Sequence, residues 1–441
     1  MDRLLTRKRG ASEALRNKRP NYEGRTMMTR RTFMSLCAAT AAVAPAFSWA
    51  QQDSSKVALY ASVGPTLTHY DVDVQGAELT PRNSVTLPAN VQYAWPHASR
   101  QYLYAASSNS APGLGGVVGD QHHVSAFRIE ASGALMPHGQ PIPLPSRPIH
   151  MTTDMPSEYV LVAFNNPSAL RVYRINRDAT LGEEVQQPGP IDAGIYAHQV
   201  RVTGNNRLAI LVARGNDPRG DKPEDPGALK VFHFSNGLLT NEVSVAPNGG
   251  YGFGPRHVDF HPSKPWVYVS LERENKMDMF TLDGDTLSPM PRFTKETLAR
   301  PDHILSRQAS GTVHVHPNGR FVYGVNRADT TKEVDGQKVF VGGENNLVTY
   351  QINQETGEPT PIDHTDTHGI HCRTFHIDPS GRMLVAAHIR GLLVREGSTV
   401  REVPACLSVF RIGDDGKLAF VRKYDVDVGN QTMFWMGMVQ L

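Results

Sequence analysis

A strand–turn–strand unit that recurs along the chain constrains the fold more than any other feature. The unit consists of a short apolar strand, a turn with Pro-x-Gly or a related sequence, and a second apolar strand. Three clear and three weaker copies span residues 257–270, 313–326, 375–388, 91–106, 150–164 and 198–213. Such repetition indicates one supersecondary unit that stacks on its neighbours to bury its apolar faces.

The spacing of the turns sets the number of units. Their central positions, 48 to 62 residues apart, are Ala98, Pro156, Gly204, Pro262, Pro317 and Pro379. Each copy is followed by a segment in which apolar and polar residues alternate, as in a half-buried strand. Residues 51–441 accommodate about seven such units, so the sequence predicts an all-β, seven-bladed β-propeller of four-stranded antiparallel blades. A two-sheet sandwich is the alternative, but it does not account for the repeat.

The two ends of the propeller and its interruptions can also be assigned. Residues 433–439 are expected to form a last inner strand, and residues 57–60 an outer strand that closes the ring against the C-terminal blade. Stretches rich in Gly, Pro and charged residues interrupt the repeat at 107–121, 216–227 and 330–345. We interpret them as rim loops, which commonly carry function.

The N-terminus has the pattern of an export signal. Arg30 and Arg31 form a twin-arginine motif, residues 36–47 are an apolar run, and small residues precede Gln51. The apolar run is too short for a membrane-spanning helix. We therefore expect residues 1–50 to be a twin-arginine signal peptide and residues 51–441 to form a periplasmic or secreted domain. A disordered basic tail is the alternative.

The net charge excludes some partners. The whole sequence has a formal net charge of +2, but residues 1–50 hold ten Lys/Arg and three Asp/Glu, which leaves residues 51–441 at −5. A mildly acidic domain without basic clusters is not suited to nucleic acid or to an anionic membrane surface. We expect a monomer without a membrane span.

Polar residues collect at one end of the expected strands. The first two strands of each unit are antiparallel, so the start of the first and the end of the second lie on the same face. Positions about six before and ten after the turn should therefore converge. They hold His150, His198, Arg256, Arg373, Asn166, Arg214, Glu272 and Arg327, with His257 one step later. A funnel of cationic and imidazole groups suits a small anionic substrate.

Several of these positions resemble a known family. Residues 254–257 (Gly-Pro-Arg-His), Tyr268 and Glu272, with the segments 312–327 and 373–381, are similar to the lactonase-type propellers. That family includes 6-phosphogluconolactonases and a carboxy-muconate cycloisomerase. The resemblance implies a seven-bladed enzyme that opens or closes a small lactone ring. The catalytic residues that it implies are His198, Arg256, Glu272 and Arg327.

The chemistry of these residues fits the implied roles. An imidazole such as His198 can relay the proton that ring opening or closing requires. Arg256 and Arg327 can hold a carboxylate and stabilise a developing oxyanion. Glu272 is either an acid/base partner, which we slightly favour, or the group that holds the arginines. The candidates for substrate binding are His150, His257, Arg214, Arg373 and Asn166. A structural role is the alternative for each, since propellers use polar residues to satisfy backbone groups.

Other chemistries lack sequence support. No Gly-x-Ser-x-Gly, CxxC or HExxH pattern occurs, so we expect neither a nucleophilic serine, nor a metal site, nor a cofactor. Cys372 and Cys406 can be bridged or free, and free thiols are favoured because sequence does not bring them together.

The sequence thus predicts a metal-independent lactonase or lactonising cycloisomerase whose partner is a small anionic lactone or sugar acid. 6-Phosphogluconolactone is less favoured, because that substrate is generally cytoplasmic whereas this chain is expected to be exported. The alternative is a non-catalytic propeller that binds a sugar acid or a protein partner at the same rim.

Overall fold

The computed structural model describes residues 56–112 and 116–441, apart from the side chain of Asn241. The predicted signal peptide, residues 1–50, lies outside the described residues. In the described part, regular structure consists of β-strands and one short 3₁₀ turn, Pro247–Gly250. No helix there is long and apolar enough to cross a membrane.

Seven antiparallel sheets form the blades, numbered here along the chain. The strands of blades 1 to 4 are β1 (Val57–Val63), β2 (Thr66–Asp73) and β3 (Glu78–Thr86); β4 (Asn90–Pro96), β5 (Tyr102–Ser108), β6 (His122–Ile129), β7 (Leu135–Pro137) and β8 (Ile142–Pro143); β9 (Pro148–Thr153), β10 (Tyr159–Asn165), β11 (Ser168–Ile175) and β12 (Leu181–Glu184); β13 (Ala197–Val202), β14 (Leu208–Ala213), β15 (Ala228–Ser235) and β16 (Leu238–Val245).

Blades 5 to 7 repeat the pattern, with a hairpin inserted into each of the last two. Their strands are β17 (Pro255–Phe260), β18 (Trp266–Leu271), β19 (Lys276–Asp283), β20 (Thr286–Leu287) and β21 (Phe293–Glu296); β22 (Ala309–Val315) and β23 (Phe321–Arg327), then the inserted β24 (Thr331–Val334) and β25 (Gln337–Phe340), then β26 (Asn346–Ile352) and β27 (Pro359–Asp366); β28 (Cys372–Ile377) and β29 (Met383–His388), then the inserted β30 (Leu392–Glu396) and β31 (Thr399–Val403), then β32 (Cys406–Ile412) and β33 (Leu418–Asp425). The last strand, β34 (Met436–Gln440), is the innermost strand of blade 1.

Apolar clusters join each blade to the next. Within the described chain one such cluster lies at each of the seven junctions between adjacent blades. Between blades 7 and 1, for example, Val385 and Val409 pack with Leu59 and Met438, which closes the ring. The predicted seven-bladed propeller is confirmed. A sandwich is excluded, because it would have one core between two sheets instead of a cluster at every junction.

The turn residues used to count the repeats lie where the pattern puts them. Ala98, Pro156 and the four others fall between the first and second strands of blades 2 to 7. The assignment of residues 57–60 to an outer strand is wrong. Strand β1 pairs with β2 on one side and with β34 on the other, and its residues are almost all buried. The outer position belongs to the mostly exposed β3.

The two inserted hairpins form an additional sheet outside the blades. Strands β24 and β25 form one hairpin, β30 and β31 form the other, and β25 pairs with β30 through Val339 and Leu393. The stretch 330–345, interpreted from the sequence as a rim loop, is largely a hairpin. The hairpin in residues 391–403 was not expected from the sequence.

Candidate active site

A cavity of about 460 Å³ opens at the end of the ring axis where first strands begin and second strands end. Every blade, or a segment adjoining it, contributes to its wall. The basic lining residues are Arg147, Arg214, Arg256, Arg307, Arg327, Arg373 and Arg390, and the acidic ones are Asp217, Glu272 and Asp329. We call this cavity the cationic mouth. Its guanidinium groups outnumber its carboxylates, as expected for a site that attracts anions.

Glu272 lies at the centre of the buried charges. It follows β18 and is in contact with guanidinium groups from three different segments. Arg214 Nη1 donates a hydrogen bond to Oε2 at 2.9 Å, Arg327 Nη2 donates to Oε1, and Arg256 Nε lies 3.3 Å from Oε1. The three predicted catalytic residues that carry charge therefore form one cluster, in which Arg214 also takes part.

The electrostatics of this cluster keep Glu272 ionised. Burial alone would raise the pKa of this carboxyl, but the charges of Arg327, Arg214 and Arg256 outweigh it and hold the pKa well below its usual range. Burial, together with the charge of Arg327, lowers the pKa of Arg256. An acid held by three guanidinium groups is a poor proton donor or acceptor near neutral pH, and it is well suited to orienting them.

His198 stands in the same wall as an unpartnered imidazole. It lies at the start of β13, is 7% exposed, and its Nδ1 has no hydrogen-bond partner. Burial, and next the charge of Arg256, hold its pKa well below the usual value. The ring is therefore neutral at pH 7 and has a free lone pair or N–H to offer to a bound molecule.

Two further predicted histidines lie deeper along the axis. The ring centroid of His257 is 5.3 Å from that of His198, and the His150 centroid is 6.0 Å from that of His257. Both nitrogens of His150 are buried without a partner. These two rings do not line the cationic mouth. They lie behind its wall, so a substrate in the mouth could contact them only through its inner end.

Two arginines of the mouth lack a carboxylate partner among the described residues. The Arg373 guanidinium lies 3.6 Å from the ring centroid of Phe434, and that of Arg147 lies 5.4 Å from the same ring. Both side chains are buried, and Nε of each has no hydrogen-bond partner. Burial lowers the pKa of both groups. An anion between them would supply the missing counter-charge.

The outer wall of the mouth contains two bridged acids. Asp217 lies 2.8 Å from Arg307 Nη2 and 3.5 Å from Arg214 Nη1. Asp329 lies 2.9 Å both from Arg390 Nη2 and from His371 Nδ1. These pairs connect the loops around the opening to the buried cluster, since His371 Nε2 is 3.5 Å from Arg327 Nη1.

The predicted set of site residues is largely brought together. His198, Arg214, Arg256, Glu272, Arg327 and Arg373 all line the cationic mouth. Asn166 does not, because β10 ends at Asn165 and Asn166 lies exposed in the following turn. The preceding residue, Asn165, lines the mouth instead. Counting ten residues from the turn overshoots the end of this strand by one.

Sequence reasoning missed Arg147 and Phe434. Arg147 directly precedes β9, three residues before the predicted His150, and Phe434 precedes β34. The sequence did offer one indication of Arg147, because it lies only three residues before the predicted site residue His150. The 330–345 hairpin, which was interpreted as a rim loop of the kind that commonly carries function, contributes no lining residue to the mouth.

Cys372 and Cys406 are both buried and free, as favoured from the sequence. Cys406 Sγ lies 3.3 Å from His388 Nδ1, and burial raises the pKa of both thiols. No group of three or more His, Cys, Asp or Glu side chains arranged to hold a metal ion occurs in residues 56–112 or 116–441.

Comparison with known proteins gives consistent results. Residues 55–395 match the family described as lactonase, 7-bladed beta-propeller. The chain is 26% identical over 310 residues to a 6-phosphogluconolactonase of Serratia proteamaculans, covering 69% of this chain and 79% of that protein. It is 24% identical over 330 residues to a 6-phosphogluconolactonase of Bacillus subtilis, covering 72% and 83%. The solved structure of a Pseudomonas aeruginosa periplasmic gluconolactonase aligns with a TM-score of 0.64 at 18% identity, covering 87% of this chain and 99% of that one.

Proposed function

The chain belongs to the seven-bladed β-propeller lactonase family, and on that premise we propose that it hydrolyses a small anionic lactone in the cationic mouth. The observation that carries this proposal is the cluster of Arg256, Arg327 and Glu272 beside the neutral imidazole of His198. Hydrolysis is preferred over ring closure because the relatives compared are named lactonases.

His198 is the proposed proton carrier. As a neutral imidazole it removes a proton from the water that attacks the lactone carbonyl. The carbonyl oxygen then becomes an oxyanion, which Arg256 and Arg327 stabilise. When the ring C–O bond breaks, the imidazolium returns the proton to the leaving alkoxide, giving a hydroxy acid. The lowered pKa of His198 strengthens its protonated form as the acid in this second transfer and weakens the neutral ring as the base in the first.

Glu272 is the proposed positioning residue. Its three guanidinium contacts and its lowered pKa support the second of the two roles that the sequence allowed. It fixes Arg256 and Arg327 relative to His198 and keeps them charged, without itself exchanging a proton.

Arg147 and Arg373 are the proposed holders of a negative group on the substrate. Both lack an acidic partner among the described residues, and both lie next to the Phe434 ring. A carboxylate or phosphate remote from the lactone carbonyl would fit between them.

We also propose that residues 1–50 are removed as a twin-arginine signal peptide and that the mature propeller works in the periplasm. The sequence pattern of Arg30 and Arg31 supports this, as does the alignment with a periplasmic gluconolactonase. A carboxylate-bearing lactone is then the favoured substrate over a phosphorylated one.

A lactone panel tests this function. Acid release by the full chain is followed in a pH-stat, with spontaneous hydrolysis subtracted, for glucono-δ-lactone, 6-phosphoglucono-δ-lactone and a glucaric acid lactone. We expect saturable turnover that is fastest with a charged lactone and unchanged by EDTA. Tight binding of the corresponding acids with no turnover of any lactone would instead support a non-catalytic binding propeller.

A further inference from the structure

A second cavity, of about 310 Å³, lies toward the opposite end of the innermost strands. Four strands contribute to both cavities: β13, β17, β22 and β28 begin at the cationic mouth and end here. Their later residues Arg201, Asp259 and His376 line this second cavity, which we call the far cavity. It belongs to no step of the proposed hydrolysis.

A series of ring contacts separates the two cavities. From His198 the rings of His257 and His150 lead inward, and the His150 centroid is 3.9 Å from that of Tyr93. Tyr93 lines the far cavity. A molecule of monosaccharide size in one cavity would therefore be separated from a molecule in the other by side chains.

The polar groups of the far cavity are balanced in charge. Arg201 Nη1 lies 3.1 Å from Asp259 Oδ1, and Asp259 Oδ2 accepts a hydrogen bond from the Val315 N–H at 2.8 Å. Burial alone would raise the pKa of Asp259, but Arg201 and then His314 hold it lower, at about 2. Burial and His314 lower the pKa of His376 to about 3. Arg201 and Asp259 compensate each other's charge, so this pair leaves no excess charge to attract an ion; the imidazoles in the lining are those of His314 and His376.

Aromatic rings form much of the remaining wall. Tyr93, Trp95, Phe375 and Trp435 line the cavity, and the Arg201 guanidinium lies 5.0 Å from the Trp95 ring centroid. Flat apolar faces beside hydrogen-bonding groups of both kinds match the surface of a sugar ring, which has C–H faces and a polar edge.

Two buried polar atoms of the far cavity have no partner. Thr374 is 5% exposed, yet its Oγ1 makes no hydrogen bond, and neither does Nδ1 of His376. Buried polar atoms are normally satisfied, since leaving them unpaired destabilises the protein. A hydroxyl-bearing ligand can both donate to and accept from these atoms.

We propose that the far cavity binds a neutral, polyhydroxylated ring of monosaccharide size, independently of the lactone in the cationic mouth. The volume lies at the lower end of the range for small-molecule sites, which begins at about 300 Å³. The balanced charge excludes the carboxylate or phosphate that the mouth selects. The aromatic walls and the unpartnered Thr374 and His376 atoms supply stacking and hydrogen bonds.

Tryptophan fluorescence tests the proposal directly, because Trp95 and Trp435 both line the cavity. The full chain is titrated with D-glucose, D-galactose, D-xylose and myo-inositol into the millimolar range. We expect saturable binding of at least one of them. The isosteric change Thr374→Val should weaken that binding about tenfold, as loss of one hydrogen bond does, and Arg256→Gln at the mouth should leave it unchanged.

Two results would overturn the proposal. One is the absence of saturable binding for all four compounds. The other is binding that disappears in Arg256→Gln and survives in Thr374→Val, which would place the sugar in the mouth. Thermal unfolding checks that each variant is folded. Asp259→Asn is a second variant in the far cavity. If Asp259→Asn does not fold, the binding measured with Thr374→Val decides whether the sugar occupies the far cavity.

Discussion

The cationic mouth and the far cavity share four innermost strands but differ in charge. Arginines outnumber carboxylates in the wall of the mouth, whereas the far cavity pairs Arg201 with Asp259. Arg256 and Asp259 lie three residues apart on β17 and line different cavities. In a propeller, position along the innermost strand therefore decides which ligand chemistry a side chain can serve, and arginine on such a strand is not by itself a sign of catalysis.

Removing one arginine from each cavity should show the largest difference between them. We expect Arg256→Gln to lower kcat/KM for a charged lactone about 10²–10³-fold, the loss typical of removing one oxyanion-stabilising donor. The matched change Arg201→Gln, also on an innermost strand, should lower it less than about twofold. Steady-state kinetics with both variants, checked for folding by circular dichroism, provide the measurement. Equal losses of kcat/KM in the two variants would mean that the mouth is not the site of catalysis.

Removing the charge of Glu272, which contacts three arginines of the mouth, should have the next largest effect on kcat/KM. Glu272→Gln leaves three buried guanidinium groups without their shared counter-charge. Breaking one partner of a buried ion pair destabilises a protein by about 3–5 kcal/mol. We expect a loss of this size in urea unfolding and a fall in kcat/KM of about 10–100-fold, smaller than for Arg256→Gln.

A pH series separates a positioning role of Glu272 from a proton-transfer role. The pKa of Glu272 is lowered in the folded protein, so its contribution to stability is complete above the ordinary glutamic acid pKa and is lost as pH falls through the lowered value. We expect Glu272→Gln to flatten the acid side of the stability profile and to leave the pH dependence of kcat unchanged in shape. A kcat profile that loses one of its limbs in this variant would instead assign Glu272 a proton.

The mildest expected effect concerns the unpaired arginines. Arg147→Met retains an apolar side chain next to Phe434 but removes a charge. We expect KM for a charged lactone to rise about tenfold, with kcat retained and KM for neutral glucono-δ-lactone unchanged. This would correspond to about 1.4 kcal/mol of binding free energy. A similar change in KM for both lactones would argue against an anion site between Arg147 and Arg373.

The fold could be predicted from the sequence because its repeat is local. The turn residues and alternating strands report on neighbouring strands within one blade, and the number of blades follows from their spacing. The closure of the ring was predicted only in part: β34 is the expected last inner strand, but residues 57–60 do not form an outer strand. The order of β34, β1, β2 and β3 depends on pairing between the two ends of the chain, which no local pattern encodes.

The candidate site was predicted where strand position determines it, and missed elsewhere. His198, Arg256, Glu272 and Arg327 converge because they lie near the start of first strands or at the end of second strands. The prediction of Asn166 was wrong by one residue, because strand length varies among blades and Asn165 lines the mouth instead. Arg147 and Phe434 lie in segments that precede innermost strands, where the repeat sets no register. The shared contacts of Glu272, which change its expected role, depend on distances between three blades and were beyond sequence reasoning.

A crystal structure of the full chain soaked with a ring-opened acid of the preferred lactone would show whether the cationic mouth binds the substrate. We expect density for the acid in the cationic mouth, with its carboxylate within hydrogen-bonding distance of Arg256 and Arg327 and next to His198. Density for the acid in the far cavity or on the outer blades, with the mouth empty, would contradict the claim.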